Sequence, residues 1–226
     1  MKHSTQIRAV TFDIGGTLIV PEPSVGAVYA EVAQTFGVTQ SPELLDARFY
    51  EGFRRASANC PSSAEKVFWE TVVRHVFAPA DLDEITFRRI FEAVYTTFGE
   101  GRRWRILDGV PHILQTLSER GFRLAALSNA DARFHSVLRD LELTPYFEAV
   151  FLSGDIGCEK PDPRIFRHVE KALGLDPQYM LHVGDSLKHD ITGAHNAGWA
   201  ARLIDGPSSL AALADDPLLP AAPPPQ

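Results

Sequence analysis

Apolar residues recur along the chain in two rhythms. The run "IRAVTFDIGG" is short, rich in apolar and β-branched residues, and ends at glycines, which is the pattern of a buried strand. "SVGAVYAEVAQTFGV" then returns to apolar residues at helical spacing, so the period changes near Pro21. From there to about Gly101 only helices are predicted, over roughly 24–37, 42–58, 63–77 and 82–98, with breaks at "VTQSPE", "ANCPSS" and "APADLDE". Ser41 before Pro42, and Ser62 ahead of the third segment, carry the chemistry of helix starts, because a serine hydroxyl can accept from the unpaired N–H groups of a first turn.

After Leu107 strand and helix alternate. "FRLAALSN" is a strand, "ARFHSVLRDLEL" a helix, "AVFLSG" a strand, "PRIFRHVEKALGL" a helix, "YMLHVGD" a strand, "HDITGAHNAG" a helix and "AARLID" a last strand. Near-continuous apolar strands between amphipathic helices imply an α/β fold: a doubly wound parallel sheet covered on both faces. The expected organisation is a core of residues 1–20 and 102–215, an all-helical cap at 21–101 inserted after the first strand, and a disordered or polyproline-like tail at 216–226.

Composition narrows the function. A formal net charge of -7 and a pI near 5.6 argue against a general nucleic-acid binder, so the positive groups at any anion site must be few and local. No apolar run approaches the roughly 20 residues needed to span a bilayer. "MKHSTQIRAVTF" enters the first strand without a signal-peptide pattern, which reads as cytoplasmic. Cys60 and Cys158 are too few for a disulfide framework and lack metal-ligand spacing, so both are expected as free thiols.

In an open parallel sheet, ligands bind outside the carboxyl ends of the strands. Asp13 follows the first strand, Ser128 and Asn129 follow "LAAL", and Asp185 follows "MLHVG", while Lys160 in "CEKPDP" sits in the loop after "VFLSG". Each type has a job in phosphoryl transfer. Asp13 can attack phosphorus and hold the group as an acyl phosphate. Asp185 and Asp190, with Asp13, offer hard oxygen ligands to Mg²⁺. Ser128 and the Asn129 backbone amide can bond phosphoryl oxygens, and Lys160 can neutralise nucleophile and phosphate together. Gly15 and Gly16 let backbone approach the anion, and Thr17 could bond the nucleophile. Singly each also has an ordinary structural reading: an aspartate after a strand is often a turn or cap, Ser-Asn a common turn pair, and "KPDP" a helix start with Asp162 as cap. Their order at successive strand ends favours an anion and metal site.

"FDIGGTL", "LSNAD", "KPDPRIF" and "HVGDSLKHD", in this order with a helical insertion between the first two, resemble the haloacid dehalogenase (HAD) superfamily in its helical-cap branch. "KPDPRIF", "HVGD" and the tryptophan in "FWETVV" look closest to the group called haloacid dehalogenase-like hydrolase domain-containing protein three. The resemblance implies a Rossmann-like core and hydrolysis of a small phosphorylated metabolite. It makes Asp13 the nucleophile, Ser128 the phosphate ligand and Lys160 the charge stabiliser. The metal group is then Asp13, the Gly15 carbonyl, Asp185 and Asp190, with Asp190 orienting metal-bound waters.

One departure matters. Family phosphatases carry a second aspartate two residues after the nucleophile, to protonate the leaving alcohol and then activate water; here Gly15 stands in its place. Such acid-base help is typically worth about 10²- to 10⁴-fold. Four readings follow: a phosphatase restricted to good leaving groups, or borrowing a proton carrier such as Asp131 or Glu22; a non-catalytic phosphate-binding or interaction protein; a 2-haloacid dehalogenase; and a phosphonate carbon–phosphorus hydrolase using Lys66 as Schiff base. "GDSLKHD" is the metal-binding type of fourth motif, which disfavours the dehalogenase, and "SSAEKVFWE" reads more simply as a solvated helix position. The first reading is favoured. Substrate choice would lie in the cap, where Tyr50, Arg54 and Arg55 could meet an anion or form an ordinary solvated helix face. Cys158 and His189 stand near the motifs and need no role.

Overall fold

The computed structural model describes residues 7–59 and 66–220. Strand β1 (Ala9–Phe12) is buried along its whole length, as expected of four consecutive residues with no solvent face. The chain then forms β2 (Ile19–Pro21), which pairs with β3 (Trp104–Ile106) in a two-stranded ribbon. Neither strand of the ribbon was expected, because three-residue strands carry too few positions to show a period.

Between them lie α1 (Val25–Gln34), α2 (Pro42–Asn59), α3 (Lys66–Phe77) and α4 (Glu84–Thr97), close to the predicted segments. Ser41 does accept from a first-turn N–H, that of Leu44. Ser62, Cys60 and the predicted start of the third helix lie outside the described residues. The four helices bury Tyr29, Phe68, Phe77, Ile90 and Phe91 in one apolar cluster. Each such side chain contributes on the order of 1.5–3 kcal/mol.

The alternating half contains α5 (Val110–Glu119), β4 (Arg123–Ser128), α6 (Arg133–Asp140), β5 (Ala149–Leu152), the short α7 (Ser153–Ile156), α8 (Pro163–Leu173), β6 (Met180–Gly184), a π-helical turn (Leu187–Thr192) continuing into α9 (Gly193–Asn196), β7 (Ala200–Leu203) and α10 (Pro207–Ala212). Among the described residues the sheet has five strands in the order β5-β4-β1-β6-β7, and its printed pairings are all parallel. The doubly wound parallel sheet is therefore as expected. On one face Leu127, Phe166, Val169, Met180 and Trp199 share a cluster.

The chain divides into two units whose boundaries differ from the predicted ones. The sheet unit holds residues up to 19, 106–129 and from 142 onward, and the helical unit holds 20–105 and 130–141. The surprise is α6, expected in the core. Arg133 Nη1 donates to the Tyr95 carbonyl at 2.5 Å, the Gly101 N–H donates to Asp140 at 3.2 Å, and the Phe134 ring meets Trp104 at 5.1 Å. These contacts join residues 30 to 39 apart in the chain, which a local periodicity cannot reveal.

A second correction concerns the tail. Asp216 pairs with Arg202, Arg120 donates to the carbonyls of Ala214 and Leu219 at 2.7 and 3.1 Å, and Leu219 is buried. The packed chain thus continues past 216, held by an ion pair and one apolar anchor that the proline-rich composition masked. Residues 221–226 lie outside the described residues. Among the described residues no helix is long and apolar enough to cross a membrane.

Candidate active site

The strand order explains why the polar residues converge. Central β1 has β4 on one side and β6 on the other, so Asp13 emerges between Ser128 at the end of β4 and Asp185 directly after β6. Here the chain reverses its direction of winding across the sheet, the position where such sheets bind ligands. The turn after β1 requires glycine at position 16. Its φ is +87°, and a Cβ there would lie 2.5 Å from Oδ2 of Asp185.

Lys160 is buried with its Nζ 2.7 Å from Asp13 Oδ1, 2.6 Å from Asp190 Oδ1 and 2.8 Å from the Leu127 carbonyl. Its main chain is fixed by Asn129. The Asn129 amide donates to the Lys160 carbonyl at 2.8 Å, and its oxygen accepts from the Lys160 N–H at 2.7 Å. Burial works against the charge on Lys160, but Asp13 and then Asp190 outweigh it and raise the pKa above the ordinary lysine value. Asp190 shows the converse balance: burial opposes its charge, yet the Lys160 ammonium and the His182 hydrogen bond hold it well below the usual carboxylate range.

Asp13, Asp185 and Asp190 each present an oxygen within 4.8 Å of the others. Asp185 feels this most. Asp185 is exposed at the rim of the site, yet desolvation of its carboxyl, then repulsion from Asp13 and Asp190, push its pKa up to about 6. Three converging hard-oxygen donors, one of them destabilised by its neighbours, fit a divalent cation such as Mg²⁺. Asp190 also accepts the Ser186 N–H through Oδ2 at 2.8 Å, in the π-helical turn that directs it back toward the sheet.

Other predicted residues fall differently. The Thr17 hydroxyl points to Asp185 Oδ1 at 3.4 Å, not to Asp13, because the glycine turn carries it toward the loop after β6. Gly15 is exposed, and a Cβ on it would meet nothing within 4 Å. The proposed substitute acids are engaged: Arg133 Nε and Nη2 donate to the two oxygens of Asp131 at 2.8 and 2.7 Å, and Glu22 pairs with Arg105 at 3.2 Å. Lys66 forms an exposed pair with Glu92 at 2.6 Å, unlike a desolvated Schiff-base lysine. Tyr50, Arg54 and Arg55 lie exposed on α2, with Arg55 paired to Glu51. Cys158 is half-buried, and burial raises its thiol pKa; the His189 ring lies 3.3 Å from the Ser186 hydroxyl, and burial lowers its pKa.

Two residues of the network were missed. His182 is fully buried in β6, with Nε2 3.1 Å from Asp190 Oδ1 and 3.4 Å from Lys160 Nζ, and Nδ1 2.8 Å from the Thr11 hydroxyl on β1. Burial, then the Lys160 charge, depress its pKa and favour the neutral ring. The available signal was a histidine and a threonine inside strands whose neighbours are apolar.

Residues 7–198 match the family model described as haloacid dehalogenase-like hydrolase. The chain belongs to this family. It is 32% identical over 217 residues to haloacid dehalogenase-like hydrolase domain-containing protein 3 of mouse (Mus musculus), covering 93% of this chain and 86% of the relative. Among solved structures, HAD-family YfnB from Bacillus subtilis, bound to magnesium, superposes with a TM-score of 0.75 at 20% identity, covering 88% of this chain and 87% of that one. A HAD phosphatase from Thermococcus onnurineus gives 0.62 at 23% identity, covering 88% and 86%. At these identities the two structures establish the HAD fold and leave the reaction to be argued from the site.

Proposed function

We propose that this HAD hydrolase is a magnesium-dependent phosphatase of small phosphorylated metabolites, working in the cytoplasm through an aspartyl-phosphate at Asp13 and restricted to good leaving groups. The observation that carries the reading is the buried Lys160 ammonium shared between Asp13 Oδ1 and Asp190 Oδ1, beside a third carboxylate. Lysine held there can offset the charge of a carboxylate nucleophile and of the dianion it attacks. Asp13, the Gly15 carbonyl and Asp185 would hold Mg²⁺, with Asp190 orienting its waters. The metal would supply positive charge that stabilises phosphoryl oxygens.

In the first step an Asp13 oxygen attacks phosphorus, and the phosphorus–oxygen bond to the leaving group breaks with its electron pair on the departing oxygen. Ser128 and the Asn129 N–H bond the phosphoryl oxygens, and Lys160 keeps the counter-charge in place. In the second step water attacks phosphorus, the bond from phosphorus to the Asp13 oxygen breaks with its electron pair on the carboxylate, and the water's proton leaves with the inorganic phosphate or passes to solvent. Gly15 can give no proton to the leaving oxygen in the first step and take none from water in the second. Aryl and acyl phosphates, whose leaving groups are stable as anions, should therefore outrun alkyl phosphates.

The test is a time course of aryl- and acyl-phosphate hydrolysis with and without Mg²⁺, using wild type beside Asp13→Asn. Metal-dependent turnover that the variant lacks supports the mechanism. Full turnover in the variant removes Asp13 as nucleophile. Absence of turnover with phosphate still bound would favour the second reading, a phosphate-binding member of the family, for which the side-chain-free Gly15 is the motivating observation.

A further inference from the structure

The proton positions behind the Lys160 ammonium follow from counting donors. An ammonium has three N–H groups, and three oxygens already take them: Asp13 Oδ1, Asp190 Oδ1 and the Leu127 carbonyl, at 2.7, 2.6 and 2.8 Å. None remains for His182 Nε2, 3.4 Å away. That nitrogen must carry its own proton, which it donates to Asp190 Oδ1 at 3.1 Å. In the neutral ring Nδ1 is then the acceptor, and the Thr11 hydroxyl, which also has the Leu181 carbonyl at 3.4 Å, gives its one proton to the nearer Nδ1 at 2.8 Å. The opposite tautomer would set an imidazole lone pair against a carboxylate oxygen, leaving both without a proton between them.

We infer that His182 is a positioning residue: its Nε2–H, oriented by the Thr11 hydroxyl, fixes the Asp190 carboxylate and through it the Lys160 ammonium that faces a bound phosphoryl group. The sheet supplies the rigidity. Thr11 and His182 are register partners on adjacent parallel strands, and Phe166 packs edge-on to the imidazole with ring centres 5.9 Å apart. Asp190 Oδ1 thus receives two donors while the Ser186 N–H holds Oδ2 at 2.8 Å, and of the three His182 is the one set inside a strand of the sheet. The inference rests on the proposed function in one respect only, that Lys160 meets a phosphoryl group.

Two measurements test it. Inorganic phosphate is titrated calorimetrically, in saturating Mg²⁺, into wild type and the variants His182→Phe, His182→Gln and Thr11→Val. His182→Phe keeps a ring without the N–H and is expected to weaken phosphate binding by about 10- to 100-fold, by analogy with the loss in metal affinity or activity when the partner behind a metal ligand is removed. His182→Gln restores an N–H donor and is expected to recover most of that loss, with Thr11→Val between them. In parallel, the imidazole ¹⁵N spectrum of wild type should show His182 protonated at Nε2 and bare at Nδ1.

Wild-type affinity in folded His182→Phe, equal loss in His182→Phe and His182→Gln, or an Nδ1-protonated ring would each overturn the role. Failure of wild type to bind phosphate would overturn it together with the phosphate site. Turnover of aryl phosphate by the same wild-type sample addresses the hydrolase mechanism separately. An inactive enzyme with the affinity order intact would defeat that mechanism and leave the positioning role standing.

Discussion

Gly184 leaves room for Asp190: a Cβ on the glycine would fall 2.3 Å from the aspartate Cγ. The carboxylate that anchors Lys160 can therefore lie against the end of β6 only because position 184 has no side chain. Gly184→Ala is expected to displace Asp190 and to destabilise the fold by roughly 1–3 kcal/mol, as overpacking does. Denaturant unfolding measures the loss, and unchanged stability would show that Asp190 can move freely. The companion expectation is a fall in magnesium-dependent turnover exceeding any loss of folded protein.

Gly15→Asp probes the missing acid-base group. The position has open space and no left-handed backbone requirement, so the side chain can be accommodated. Alkyl-phosphate turnover is expected to rise, within the range of about 10²- to 10⁴-fold that such groups supply, with a much smaller change on aryl phosphates. A folded variant with no gain on alkyl substrates would show that the absent carboxylate is not what limits the enzyme.

Lys160→Met removes the ammonium while keeping most of its length. It leaves Asp13 and Asp190 buried without their shared counter-charge, a situation that typically costs about 3–5 kcal/mol. In wild type the depressed pKa of Asp190 contributes stability that is present at neutral pH and lost as pH falls below the ordinary carboxylate range. Unfolding free energies measured from pH 7 downward should show the variant deficit largest at neutral pH and shrinking in acid. A deficit independent of pH would mean that packing, not charge, is what Lys160 provides.

Asp185 has the opposite sign. Its pKa, pushed up to about 6, lies above the ordinary aspartate value, so in the metal-free protein it contributes instability as pH rises through that interval. A bound cation should reverse this, because it favours the ionised carboxyl. Magnesium is expected to raise the melting temperature more at pH 7.5 than at pH 5, and Asp185→Asn should flatten the difference. An equal rise at both pH values in wild type would place the metal elsewhere.

Much of this site was legible because chemistry at strand ends is written locally. Lys160 adjoins Pro161 and Asp185 adjoins Gly184, Asp13 stands two residues before the Gly15–Gly16 pair, and Asp190 follows Asp185 in the same short motif, so a linear reading finds them. Thr11 and His182 escaped because their partnership lies across the sheet, between strands 171 residues apart. The same limit hid the attachment of α6 to the helical unit and the burial of Leu219, both decided by long-range contacts. Thr17 was assigned to the wrong carboxylate because spacing shows proximity to a turn without showing the direction in which that turn sends a hydroxyl.

The paired hydrogen bonds between the Asn129 amide and the Lys160 main chain join two loops before any ligand arrives. Ordering them belongs to the folding reaction, so an incoming anion does not have to pay that entropy again. Association at this site should consequently be governed by ion desolvation and diffusion, with little rearrangement of the loop that carries the positive charge.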